Sequence, residues 1–298
     1  MARFLQYLFN GLSSGAIYSL LALSLVIVYR GSGHLNFAQG EMAMLSAFFA
    51  WWYSGPLPIW LAVLAAVVTA AVLAALTERF VIRPIGHRSQ FAVVVAAIGL
   101  FLGLNALAPF AWRVTNPVEF ESLFPDDPTD FVRIGGAEWR HERIGILAVT
   151  LVLGFLLFLL FQKTKLGLAM RAVASNPESA PLVGINTGQV LMVSWALAGG
   201  VGAIGGAMVA SVNGIADPSM MFVIFFSASA AATLGGFDSL GGAVLSGLLL
   251  GVVENMAAGY QPDIIGQELR FTVSLLIILV VLLVRPSGLW GSQRVERV

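Results

Sequence analysis

Lys163–Gly184, KTKLGLAMRAVASNPESAPLVG, is a long polar and basic stretch in the second half of a chain made otherwise of apolar runs. Apolar walls stand on both sides of it, Leu147–Phe161 before and Val190–Val212 after. Each wall approaches the roughly 20 apolar residues that a helix needs to cross a bilayer. The stretch therefore reads as a short loop between two crossings. Its lysines and arginine place it on the cytoplasmic side, where Lys and Arg accumulate.

Composition extends this reading to the whole chain. Of 298 residues, 58% are hydrophobic and only 11% charged, too few charges to cover the surface of a soluble fold. The expected fold class is an all-α polytopic membrane protein, a bundle of about 8–10 transmembrane helices forming one domain over residues 1–298. The formal net charge is zero, which gives no reason to expect a nucleic-acid partner. There is no cysteine, so disulfides, thiolate metal sites and thiol nucleophiles are excluded. The opening run, about Leu5–Tyr29, is longer than the apolar centre of a cleaved signal and reads as a retained span.

After that span comes Arg30–Glu41, RGSGHLNFAQGE, whose three glycines, Asn36 and Gln39 suit unwound backbone better than helix. A broken or re-entrant segment is expected at about residues 31–41. Such backbone is tolerated at membrane depth only where protein or a water-filled cavity satisfies it. Met42–Tyr53 is short for a full span, so the side of the N-terminus stays open. Ile59–Leu76 crosses, and Arg79, Arg83 and Arg88 mark a cytoplasmic loop at Glu78–Gln90. Phe91–Trp112 leads to Arg113–Arg143, with seven acidic residues against four arginines, placed outside. Further spans are expected at Ile144–Phe161, Val190–Val212, Met221–Leu234, Ala243–Ala258 and Phe271–Val284, which leaves the basic tail inside. Ala198, Gly202, Gly206 and Ala210 share one helical face, as do Ala243, Gly247 and Gly251, and such faces let backbones approach closely in lipid.

The chemistry on offer is binding and passage. Neither of the two lysines follows a glycine, so no phosphate loop of the Gly-Lys-Ser/Thr type exists and the chain does not hydrolyse ATP alone. His34, His87 and His141 lie in separate segments, a poor metal-binding set. The candidate substrate path is Asn36, Gln39, Gly40 and Glu41, joined by Glu254. Ionisable groups at membrane depth cost several kcal/mol and usually face a cavity or a partner. A helix N-terminus at Gly40-Glu41 can offer N–H groups to a carboxylate, although the charge of Glu41 opposes this. The alternatives are a carboxylate that only caps its helix and a rigid packing corner. In the central loop, Asn176 and Pro177 suit a helix start, and a short amphipathic helix there would project Leu182, Val183 and Ile185.

The stretches HLNFAQGEMAML (34–45), ERFVIRPIGHRS (78–89), LGLAMRAVASNPESAPLVGIN (166–186), LGGFDSLGGAVLSGLLLGVVE (234–254) and LLVRPSGLWG (282–291) together resemble the LivH-type permease of branched-chain amino acid ABC importers. The resemblance runs in order over most of the chain. It implies an inner-membrane, multi-pass permease, paired with a homologous LivM-like permease, two ATPase subunits and an extracytoplasmic solute-binding protein. No cofactor is implied for this chain; ATP is used by the partner subunits. Arg171, Glu178, Ala180, Gly184 and Ile185 fall on the family's ATPase-docking loop, here within 163–184. Gln39 stands where His is frequent, and Pro181 departs from the usual helix former, which should shorten or bend a helix there. Urea, short amides and other small solutes are the alternative cargo for the same architecture. An ion-coupled secondary transporter is a weaker alternative, because coupling residues are sparse.

Overall fold

The computed structural model describes residues 1–86, 90–114, 116–127, 129–261, 269–285 and 287–291. The chain begins with α1 (Ala2–Ser32), α2 (Gln39–Ser54) and α3 (Ile59–Thr77). A π-turn at Glu78–Ile82 and the short α4 (Arg83–Gly86) lead to α5 (Gln90–Trp112). The long polar connection carries β1 (Val118–Glu119), β2 (Phe131–Ile134) and β3 (Ala137–Arg140). Then come α6 (His141–Lys163), α7 (Lys165–Ser175), a 3-10 turn at Ala180–Val183 and α8 (Thr187–Asn213). The chain closes with β4 (Ile215–Ala216), α9 (Phe222–Gly235), α10 (Leu240–Tyr260) and α11 (Leu269–Val284).

Six of these helices are long and apolar enough to cross a membrane, and α9 and Thr272–Val284 of α11 are shorter apolar helices. α1 is the centre: 89% of its most apolar window is buried, against 33% for α3 with its extension, 17% for α5 and 28% for α6. Those three helices display Leu64, Val68, Phe91, Leu102, Phe110 and Phe155 outward, as a lipid-facing wall requires and an aqueous surface does not. α1 can be central because Gly, Ala and Ser recur along it. α10 packs against it with Gly247 at Ser19 and Gly251 at Gly15, contacts that a Cβ at either glycine would obstruct. Ser19 seals the pair by donating to the Val244 carbonyl at 2.9 Å.

Contacts at the helix ends settle the side of the N-terminus relative to the loops. Gln6 Nε2 donates to the Glu138 carbonyl and Gln6 Oε1 accepts from the Glu138 N–H, each at 2.9 Å. Phe9 stacks on Trp139 with centroids 4.6 Å apart. The start of α1 therefore lies beside the β2–β3 hairpin, on the face of the long polar connection. β1 pairs with β4 on that same face. At the other end, the Arg30 guanidinium lies over the Phe161 ring, Tyr29 meets Phe237, and Arg83 Nη2 donates to the Gly188 carbonyl. The basic segments thus share the opposite face, as the charge pattern requires.

Two local expectations change. The break between the first helices is shorter than residues 31–41: α1 continues to Ser32, Gly33 caps it with φ 72°, and α2 begins at Gln39. Backbone N–H groups are costly to leave unpaired at this depth, so helix persists until the αL glycine stops it. Glu78–Gly86 is helical, not a loop, and its buried Glu78 binds Arg83 through Nε at 2.9 Å and Nη2 at 2.5 Å. Arg88, most of the expected connection after Gln261, and the basic tail from residue 292 lie outside the described residues.

Candidate functional site: polar groups inside the bundle

The corner between α1 and α2 is buried and internally paired. Asn36 Oδ1 accepts from the Ala38 N–H at 3.1 Å, and Asn36 Nδ2 donates to Gln39 Oε1 at 3.0 Å. Gln39 Nε2 in turn donates to the Ala198 carbonyl of α8 at 3.1 Å. Both side chains are only 1% exposed. Gly40 rests against the Phe225 ring of α9. Within the first turn of α2, Glu41 is also 1% exposed and accepts from Asn105 Nδ2 of α5 at 3.0 Å. The same nitrogen donates to the Pro218 carbonyl at 3.0 Å, so Asn105 joins α5, α2 and the turn before α9.

Glu254 lies apart from this corner. Its Oε1 accepts from Ser227 of α9 at 3.1 Å and from Ser274 of α11, and the two hydroxyls are 3.0 Å apart. The cluster links α9, α10 and α11 through one buried carboxylate. The four residues of the corner are thus brought together, and Glu254 is not.

A cavity of about 330 Å³ opens beside the outer half of α1. Its polar lining comes from Asn10, Ser13, Ser14 and Tyr18 of α1, Arg143 of α6 and Asn255 of α10. Ile17, Ile146, Val209 and Ile224 supply an aliphatic side. Asn213 at the mouth is exposed, Arg143 and Ser14 are half-buried, and Ser13, Tyr18 and Asn255 are buried. Asn10 and Tyr18 are separated by two helical turns, about 12 Å along the axis. Arg143 donates to Asn10 Oδ1 across the cavity.

On the opposite face, α7 precedes the docking candidates. Thr164 caps α7 by accepting from the Gly167 N–H at 3.1 Å, and Arg171 on α7 donates to Gln162 at 2.9 Å. The helix expected to start at Asn176 is replaced by a turn. Asn176 ends α7, and its Oδ1 accepts from the N–H groups of Glu178 and Ser179 at 3.1 and 2.9 Å. A single 3-10 turn follows, with Pro181 in its first positions, because the ring removes a donor that a longer helix needs. Ala180 is buried, Glu178 is exposed, and Gly184 closes the turn with φ 81°. Leu182 and Val183 stand 85% and 75% exposed at the tip, while Ile185 folds back against the core.

Residues 7–283 match the family model described as the permease component of the branched-chain amino acid transport system. This chain belongs to that family. It is 30% identical over 99% of its length to the high-affinity branched-chain amino acid permease LivH of Escherichia coli K12, covering 98% of that protein. Against BraD of Pseudomonas aeruginosa the figures are 29%, 99% and 98%. Against the probable LivH of Methanocaldococcus jannaschii they are 26%, 94% and 91%.

In this permease, the cavity residues and Asn105 carry little mark in the sequence. Asn105 sits in an apolar run, and a lone Asn there was the one signal for it, since a polar side chain in a span needs a partner. Arg143 looked like the end of the outer connection. Nothing in the spacing brings it to Asn10 and Asn255, which lie on the first and tenth helices.

Proposed function

We propose that this chain is a permease subunit of an inner-membrane ABC importer that carries branched-chain or related neutral amino acids. It works with a LivM-like second permease, two ATPase subunits that consume the ATP, and an extracytoplasmic binding protein that delivers the solute. The observation that carries the reading is the end-to-end match: the LivH relatives align over 99% of this chain and 98% of their own length. Two features of the fold support it. The basic inner face presents an apolar tip at Leu182 and Val183, a site where a soluble subunit can dock. The bundle also holds a polar cavity at the face where an extracytoplasmic donor would deliver solute.

Asn36, Gln39, Gly40 and Glu41 fit this reading as the joint that sets α2 against α8, α5 and α9, on which any passage through the bundle depends. Glu254 fits it as the link from α10 to its neighbours. Reconstitution with the candidate partners tests the proposal. The complete complex in vesicles is expected to take up leucine with ATP and the loaded binding protein, and not without either. Uptake of urea or a short amide with no uptake of leucine would assign the other cargo, and leucine uptake driven by an ion gradient without ATP would overturn the class.

A further inference from the structure

We propose that Arg83 is a positioning residue for ATPase coupling, tying the turn at Ala180–Val183 to the end of α3. The proposal rests on the permease reading for the ATPase partner and deepens it by naming how the inner tip reaches the bundle. Arg83 holds two elements with one guanidinium. Its Nε donates to Glu78 Oε1 at 2.9 Å and its Nη2 to Glu78 Oε2 at 2.5 Å, a forked pairing of the strong kind. The second hydrogen of Nη2 crosses to the Gly188 carbonyl in the first turn of α8, 105 residues further along the chain. Glu78 does not require that third bond, and the α8 dipole opposes a cation at its N-terminus. The bond fits because residue 188 is glycine: a Cβ there would stand 2.7 Å from Arg83 Nη1.

Both ends of the link are stiff. Glu78 is 1% exposed, so separating the pair leaves a buried carboxyl without its partner. On the α8 side, Gly184 closes the docking turn, and Asn186 starts the helix by accepting from the Gln189 N–H at 3.0 Å. Between those two caps stands Ile185, which packs against the core. A push on Leu182 or Val183 therefore reaches Gly188 with no slack loop between. Arg83 passes it on to Glu78, where α3 runs into the π-turn Glu78–Ile82. Such turns are wider than the α-helix and recur at functional sites. Deeper in, Gly199 of α8 lies against the Ala70 backbone of α3. The two helices are thus joined at two levels and move as one body when the tip is displaced.

A replaceable link tests this, because the chain has no cysteine of its own. Arg83→Cys combined with Gly188→Cys is assembled with partner subunits whose thiols are blocked beforehand, and leucine uptake per ATP hydrolysed is measured in vesicles. That ratio is expected to fall about tenfold, a coupling of ordinary size. A short bifunctional thiol reagent joining the two cysteines should restore it, and a monofunctional reagent of the same chemistry should not. Pairing with Glu78 for stability alone would not return on cross-linking, so the rescue separates coupling from a structural role. Arg83→Lys keeps a cation for Glu78 without the planar fork that serves both partners. It should lower the ratio with Tm nearly unchanged, and it carries the test if the cysteine pair does not assemble. A low ratio that cross-linking leaves low overturns the proposal. An unaltered ratio in both variants, with normal leucine uptake, removes the link and leaves the permease reading intact. If the unmodified transporter hydrolyses ATP without moving leucine, urea or a short amide, the permease reading falls and the link with it.

Discussion

Gly206 of α8 lies so close to Ala43 of α2 that a Cβ on it would stand 2.1 Å from the Ala43 carbonyl oxygen. No rotamer change relieves that overlap, because the obstacle is backbone. Gly206→Ala is therefore expected to push α2 from α8 at a cost of about 1–3 kcal/mol, seen as a lowered Tm of the purified permease in detergent. Gly103→Ala is the control: it lies in α5 with nothing within 4 Å of the added Cβ, and should leave Tm unchanged or slightly raised. Equal losses at both sites would refute the packing argument.

The hydrogen bonds of the corner separate a structural role from contact with cargo. Asn36→Leu removes the acceptor for the Ala38 N–H, a buried group whose orphaning costs about 1–3 kcal/mol. Lowered Tm and yield should precede any transport defect. Glu41→Gln keeps an oxygen for Asn105 and should cost little, whereas Asn105→Leu strips donors from both Glu41 and Pro218 and should cost about 3 kcal/mol. Normal Tm with lost transport in Asn36→Leu would move that side chain onto the substrate path.

The crossings were legible because their runs are apolar over the length that lipid demands, and α8 and α10 announced their packing faces through Gly202, Gly206 and Gly247. The short turn at Ala180–Val183 was half legible: Pro181 forecast a shortened helix, but not that α7 would form ahead of it and use Asn176 as its end. Pairings between distant segments were hidden. Gln39 with Ala198, Glu41 with Asn105 and Arg143 with Asn10 depend on how the helices pack, and local spacing carries no trace of that. The side of the N-terminus was ambiguous for a related reason. A short Met42–Tyr53 run fits a re-entrant piece or a crossing, and the decision comes from Gln6 bonding to Glu138.

That decision can be checked by accessibility. Thr129→Cys and Ala2→Cys should both react with an impermeant thiol reagent added to intact cells, and Ser175→Cys only after the inner face is opened. Thr129 is preferable to Ser122, which is half-buried and donates to the Phe124 carbonyl at 2.8 Å. Labelling of Ala2→Cys from the side opposite Thr129→Cys would break the contact between α1 and the β2–β3 hairpin on which the assignment stands.

The inner tip supplies the last test. Leu182 and Val183 are displayed to solvent by a turn that buries Ala180 and closes on Gly184 in the left-handed region. Exposed apolar side chains on a rigid turn add nothing to the permease alone, so their replacement should spare its stability and weaken a docked partner. Leu182→Asp with Val183→Asp is expected to leave Tm of the isolated permease unchanged. Binding of the ATPase subunits should fall about thirtyfold, the loss of an interface anchor worth about 2 kcal/mol. Gly184→Ala acts through the backbone instead. Its added Cβ meets no neighbour within 4 Å, but φ 81° costs an L residue about 1–2 kcal/mol and should splay the tip. The two variants should therefore reach the same uncoupled state, with low substrate-stimulated ATPase activity in a correctly inserted permease. Full coupling in the double Asp variant would move the docking surface away from this turn, towards the basic helical segment around Arg79 and Arg83.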